Sequence, residues 1–114
     1  MTARRVLILY RDSLLAQGLE SLLRQQKGLE TSATQLEEAN VEELVRQFAP
    51  DVVIVDRDEL AGRAGITVDR LLREPHLRVI AVSSRDDVAQ VYEGHEVRVA
   101  KFEDLLATFA NETG

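Results

Sequence analysis

The chain of 114 residues contains no cysteine, which excludes disulfide bridges and thiolate metal sites. It also lacks any apolar run that approaches the roughly 20 residues needed to span a bilayer. The apolar part of the N-terminus MTARRVLILY is too short for a secretory signal. These absences predict a cytoplasmic protein that is not inserted in a membrane.

Positive charge is also scarce. The formal net charge is −6, and the 14 basic residues are scattered along the chain rather than clustered. Sequence-independent binding to DNA or RNA needs a basic patch that displaces counterions from phosphates, so direct nucleic-acid binding is not expected. The two histidines, His76 and His95, are far apart in the sequence, which favours solvated loop side chains over a shared metal site.

What the sequence does contain is an alternation of apolar runs and amphipathic stripes. Five runs are typical of strands, the second being the weakest: 6–9, 29–36, 52–55, 79–82 and 97–100. Apolar residues with helical spacing follow them at 14–26, 41–48, 68–72, 86–92 and 102–109. This order predicts one α/β domain over residues 1–114, a doubly wound five-stranded parallel sheet with a short fourth helix, and a flexible tail at 111–114.

Polar residues follow the strands at the edge where a parallel sheet carries its chemistry. They are Tyr10, Arg11 and Asp12 after the first strand, Asp56 after the third, Ser83 and Ser84 after the fourth, and Lys101 after the fifth. A carboxylate, a hydroxyl and an ammonium that converge there suit phosphoryl acceptance. Asp56 would attack the phosphoryl group while Ser83 and Lys101 hold its oxygens.

With this set, and with the segments RDSLLAQGLESLL, QFAPDVVIVD and LRVIAVSS, nearly the whole chain resembles the receiver domain of bacterial two-component response regulators. The likeness is greatest to receivers that precede helix-turn-helix output domains. It implies a flavodoxin-like (βα)5 fold, a part in a phosphorelay, and a histidine kinase or an output domain as partner. By this resemblance Asp56 matches the phospho-accepting aspartate, Ser83 the Ser/Thr position and Lys101 the lysine.

The sequence departs from the family where receivers bind Mg²⁺. Tyr10 and Arg11 occupy the positions of the family's acidic pair, and Asp12 lies one residue later, where it can instead cap the following helix. Mg²⁺ usually takes one or two carboxylates, so no metal is expected here. If a metal site does form, its carboxylates would be Asp12 and Asp56. Arg11 either forms a bidentate ion pair with Asp56 in place of the metal or points to solvent.

Structural roles are also open for the other candidates. Asp56 can be a hydrogen-bonded carboxylate at a strand end, and Ser83 and Ser84 can cap the short fourth helix. Family members place an aromatic residue three positions before the lysine and a proline after it, whereas this chain has Arg98 and Phe102. In the family, the face formed by these positions and the fourth helix carries the phosphorylation-dependent output.

The favoured hypothesis is therefore a pseudo-receiver. It would be a non-enzymatic signalling module without a cofactor, which contacts another signalling protein or a second copy of itself. The alternative is a phospho-accepting receiver that uses Asp56 with Mg²⁺. A small nucleotide- or flavin-binding enzyme on the same fold is disfavoured, because the only glycine-containing candidate for a phosphate cradle, at 61–65, lacks the full spacing.

Overall fold

The described residues form one sheet of six strands, with helices on both of its faces. A computed structural model describes residues 4–10, 13–26, 28–35, 41–56, 77–83, 88–93 and 96–105. The elements are β1 (Arg4–Tyr10), α1 (Ser13–Arg24), β2 (Leu29–Gln35), α2 (Val41–Phe48), β3 (Val52–Asp56), β4 (Arg78–Val82), β5 (Val88–Glu93) and β6 (Glu96–Lys101). Residues 102–105 are helical.

The strand order across the sheet is β2-β1-β3-β4-β5-β6. The first four strands in this order are mutually parallel. Strand β5 is antiparallel to both β4 and β6, so β6 again points the same way as β4. The protein is therefore α/β with a mixed sheet, parallel in one part and a β-hairpin extension in the other.

The prediction of five parallel strands with a short helix at 86–92 is wrong in this second part. Residues 88–93 form β5, in which Ala89 and Val91 are buried in one core cluster while Tyr92 packs against the other. That alternation has the period of a strand, not of a helix. All five segments predicted as strands are strands, and the helices predicted at 14–26 and 41–48 are confirmed.

Several predicted features lie outside the described residues. They are the helix around 68–72, both histidines, the glycine-containing segment 61–65 and the tail at 111–114. None of the helices that the structure describes is long and apolar enough to cross a membrane.

Each face of the sheet has its own apolar core, because successive residues of a strand point to opposite faces. On one face, here called the α1 face, α1 and Leu105 cover the side chains of Val6, Ile8, Val52, Ile54, Ile80 and Val82. On the other, the α2 face, Leu44, Val45 and Phe48 of α2 pack against Leu7, Leu9, Val53, Val55, Val79 and Ala81. Burial on both faces explains why β1, β3 and β4 have continuous apolar sequences.

Helix α1 buries a narrower stripe than its sequence predicts. Ala16, Leu19 and Leu23 are buried, whereas Leu22 is 43% exposed and Leu14 is 76% exposed. The spacing of Leu22 from Leu19 predicts that Leu22 shares the buried stripe with Leu19 and Leu23, and its exposure shows that it does not. Residues 16, 19 and 23 follow the i, i+3, i+7 spacing, and residue 22 lies beside that line.

Asp51 aligns the amino ends of the three central strands. Its Oδ2 accepts a hydrogen bond from the backbone N–H of Arg5 at 3.0 Å, and its own N–H donates to the Arg5 carbonyl at 2.9 Å. Its carbonyl accepts the N–H of Arg78 at 3.1 Å. These bonds fix the register of β1, β3 and β4 at their amino ends. The register in turn sets which residues stand at the carboxyl ends of these strands.

Candidate functional site

The carboxyl ends of β1 and β3 bring Tyr10 and Asp56 side by side. Leu9 pairs with Val55 in the parallel register, so Tyr10 and Asp56 are the next residues on the two strands. Tyr10 lies two residues after Ile8, and Asp56 lies two residues after Ile54, so both belong to the α1 face of the sheet. Tyr10 packs against the core of that face. Asp56 is partly buried. The end of β1, where the resemblance to receivers predicts a metal-binding carboxylate, thus carries an aromatic residue that packs on the core.

Ser83 lies at the end of the next strand. Asp56 pairs with Val82 of β4, and Ser83 is the following residue. Neighbouring strands are about 4.8 Å apart, so the carboxylate and the hydroxyl belong to adjacent positions on one edge. Ser83 is 8% exposed and is the only buried polar residue within the described ranges. The structure therefore places Asp56 and Ser83 at the carboxyl ends of adjacent strands, as the sequence predicts.

Lys101 is not part of this group. It is the exposed last residue of β6, where it pairs with Val88 of β5. The path from β3 to β6 crosses three strand spacings, about 14 Å at about 4.8 Å each. An extended lysine side chain is too short to cover that distance. The antiparallel strand β5, which stands where a helix was predicted, is what moves Lys101 away from Asp56.

Three of the predicted site residues, Arg11, Asp12 and Ser84, lie outside the described part of the chain. The ion pair between Arg11 and Asp56, the capping role of Asp12 and any metal site that uses Asp12 therefore stay predictions. Within the described ranges, no group of three or more histidine, aspartate or glutamate side chains is arranged to hold a metal ion.

A second polar cluster, which the sequence analysis missed, lies at the other ends of the strands, where β4 and β6 begin and β5 ends. A cavity of about 410 Å³ there is lined by Arg78, Val91, Glu93, Glu96, Val97 and Arg98. Oε1 of Glu93 forms an ion pair with Nε of Arg78 at 2.9 Å and accepts a hydrogen bond from Nη2 of Arg98 at 3.1 Å. Nη1 of Arg78 is buried and has no hydrogen-bond partner among the described residues.

This second cluster fastens the hairpin to β4. Its two arginines and two glutamates balance in charge, and Glu93 bridges a residue of β4 and a residue of β6. The cue in the sequence was the pair of alternating runs VAQVYE and EVRVAK with only two residues between them, which is typical of a β-hairpin. The charged residues Glu93 and Arg98 of this hairpin then connect it to Arg78 of β4.

The carboxyl ends of β1, β3 and β4 offer an aromatic residue, a carboxylate and a buried hydroxyl, namely Tyr10, Asp56 and Ser83. A carboxylate can accept a phosphoryl group when cations neutralise the charge of the phosphoryl oxygens. Lys101 does not supply such a charge from its position on β6.

No protein-family model matches the chain, and neither a curated protein nor a solved structure matches it.

Proposed function

We propose that the chain is a receiver-like signalling module that acts through protein–protein contacts, without an enzymatic activity of its own and without Mg²⁺-assisted phosphorylation. Its parallel part has the order β2-β1-β3-β4, which agrees with the first four strands of the flavodoxin-like order 2-1-3-4-5. Helices pack on both faces, as in that fold. The partner is another signalling protein or domain, such as a histidine kinase or an output domain, or a second copy of the chain.

One observation carries the proposal, namely the presence of β5 between β4 and β6. It leaves Lys101 about 14 Å from Asp56 along the sheet. The lysine of the family contacts the phosphoryl group that the aspartate accepts, and this distance prevents such a contact. Tyr10, in place of a carboxylate at the end of β1, weakens the metal site in the same way. The first departure removes a cation from the place where phosphoryl transfer needs it, and the second removes a ligand that would hold the metal cation there.

A second candidate function keeps Asp56 as a phospho-acceptor with Mg²⁺. It is favoured by the position of Asp56 and Ser83 at the ends of adjacent parallel strands. Asp12 would then complete the metal site. A nucleotide- or flavin-binding enzyme has no such support, since its candidate cradle at 61–65 falls outside the described residues.

The experiment that separates these functions is an amide NMR titration of the full chain with Mg²⁺ and beryllium fluoride, a phosphoryl mimic. We expect the amide signals of Tyr10, Asp56 and Ser83 to stay in place as the mimic is added. Saturable shifts at Asp56 and Ser83 that disappear in Asp56→Asn would overturn the proposal in favour of the phospho-acceptor. Shifts that persist in Asp56→Asn would indicate binding elsewhere and leave the phospho-acceptor function without support.

Lys101→Ala is the matched control in the same titration. The distance along the sheet predicts that this variant gives the same spectra near Asp56 as the parent chain, with or without the mimic. A loss of mimic binding in Lys101→Ala would mean that the lysine reaches Asp56, which contradicts the observation on which the proposal rests.

A further inference from the structure

Among the described strands, β6 lies at an outer edge of the sheet and carries two exposed valines between charged residues. β6 is the last strand in the sheet order, so within the part of the chain that the structure describes its one strand neighbour is β5. Val97 is 55% exposed and Val99 is 65% exposed, and both lie on the α2 face, opposite to Ala100. A strand in such a position presents a row of backbone N–H and C=O groups that can pair with another strand.

The other edge of the sheet, at β2, is different. Its residues are half-buried apart from Glu30, and its sequence LETSATQ is rich in polar residues. Leu29 and Ala33 pack into the core of the α1 face. The two edge strands therefore differ in exposure: β2 packs partly into the core, whereas β6 exposes two valines on one face.

We propose that β6 pairs in antiparallel orientation with β6 of a second copy, so that the two sheets join into one about a two-fold axis. This inference rests on the proposed function, which it deepens by naming the partner as a second copy and the surface as β6. The occupant follows from the sequence of the strand, because one symmetric register of EVRVAK sets valine against valine and opposes no like charges.

That register places Val99 opposite Val99 of the second copy. Antiparallel pairing about a two-fold axis sets residues of the same face opposite each other. With Val99 at the centre, Val97 lies opposite Lys101 and Arg98 lies opposite Ala100. Residues 97–101 of each copy then pair, the valines meet on the α2 face, and no two like charges are opposed.

The neighbouring symmetric registers are poorer. If Arg98 is at the centre, its guanidinium opposes that of the second copy, and like charges directly opposite destabilise a pair of strands. If Val97 is at the centre, Glu96 faces Arg98 favourably, but only three residues of β6 overlap. The Val99-centred register is therefore the longest that avoids a repulsive pair.

The first test is the molar mass of the intact chain by light scattering, from micromolar to millimolar concentration. We expect a twofold rise in mass with concentration for the parent chain. Val99→Lys should stay monomeric, because it puts two ammonium groups opposite each other at the axis. Leu22→Lys, which changes an exposed leucine on α1, should dimerise as the parent does.

A parent chain that stays monomeric at every concentration would overturn the proposal and leave the edge to a strand of another protein. A Val99→Lys variant that still dimerises would overturn it as well. The beryllium fluoride titration is independent of these results, so failure of the dimer and failure of the proposed function can be told apart.

The register has its own test, which also serves if Val99→Lys fails to fold. The sequence has no cysteine, so Val99→Cys introduces a single thiol. In the proposed register the two thiols lie across the axis at a separation that a disulfide can bridge, and mild oxidation should yield a cross-linked dimer. Val97→Cys places its thiol opposite Lys101 and should cross-link less. The reverse order would overturn the register.

Discussion

The guanidinium of Arg5 on β1 holds the end of α2 through the last residue of that helix, Phe48. Nη1 of Arg5 donates to the carbonyl oxygen of Phe48 at 2.7 Å, and Cζ lies 5.7 Å from the centroid of the Phe48 ring. Nε of the same side chain donates to Glu30 on β2 at 3.2 Å. The last carbonyls of a helix lack partners within the helix, so one arginine satisfies such a group and also connects two strands.

Replacing Arg5 with lysine should therefore destabilise the fold although the charge is kept. An ammonium is a compact donor and cannot reach Glu30 and the Phe48 carbonyl in the planar arrangement that guanidinium provides. We expect Arg5→Lys to lower the free energy of unfolding by about 1 kcal/mol in urea denaturation. Arg24→Lys is the control, because Arg24 is exposed and bonds Glu20 one turn away; it should change stability by less than about 0.5 kcal/mol. Equal losses in the two variants would contradict the role given to Arg5.

Two adjacent leucines of α1 differ in what they contribute. Leu23 is fully buried in the core of the α1 face, whereas Leu22 is 43% exposed. Leu23→Ala should lower the free energy of unfolding by about 2–5 kcal/mol through lost burial and the cavity left behind. Leu22→Ala should cost less than about 1 kcal/mol. Urea denaturation of both variants measures the difference, and similar costs would mean that α1 packs in another rotation.

Gly18 and Gly28 should respond to alanine with opposite signs. Gly18 lies inside α1, is exposed, and a Cβ built on it meets no atom within 4 Å. Gly18→Ala should raise the free energy of unfolding by about 1 kcal/mol, the difference in helix propensity. Gly28 has φ of 83°, in the left-handed region, so Gly28→Ala should lower it by about 1 kcal/mol. Thermal melts of the two variants give the signs directly, and a destabilising Gly18→Ala would mean that the helix is bent or frayed at that position.

Three of the correctly predicted strands are buried on both faces, and these give the clearest signal in the sequence. VLIL, VVIV and VIAV are apolar throughout because α1 and α2 cover the two faces of β1, β3 and β4. Such runs need no knowledge of distant contacts to be recognised. The ends of β3 and β4 are fixed by the same runs, which is why the proximity of Asp56 and Ser83 could be predicted.

The hairpin could not be predicted in the same way. In β5 the alternation is short, with Ala89 and Val91 on one face, and the preceding Ser84 and Asp87 form a pattern typical of a helix start. The local helix signal and the family resemblance both favoured a helix, while the pairing of β5 with its neighbours on both sides decided the outcome. One inserted strand was enough to move Lys101 out of the candidate site.

Glu93 should matter for stability mainly through Arg78. The side chain of Arg78 is 22% exposed, against 59% for Arg98, so Arg78 loses more solvation and depends more on its partner. Glu93→Gln should lower the free energy of unfolding by about 1–2 kcal/mol, because it leaves a mostly buried guanidinium without a charged acceptor. Adding Arg78→Met should recover most of that loss, since it also removes the buried Nη1 that has no partner among the described residues. Adding Arg98→Met instead should recover little. Urea denaturation of the two double variants tests this order, and equal recovery in both would show that neither arginine is held specifically by Glu93.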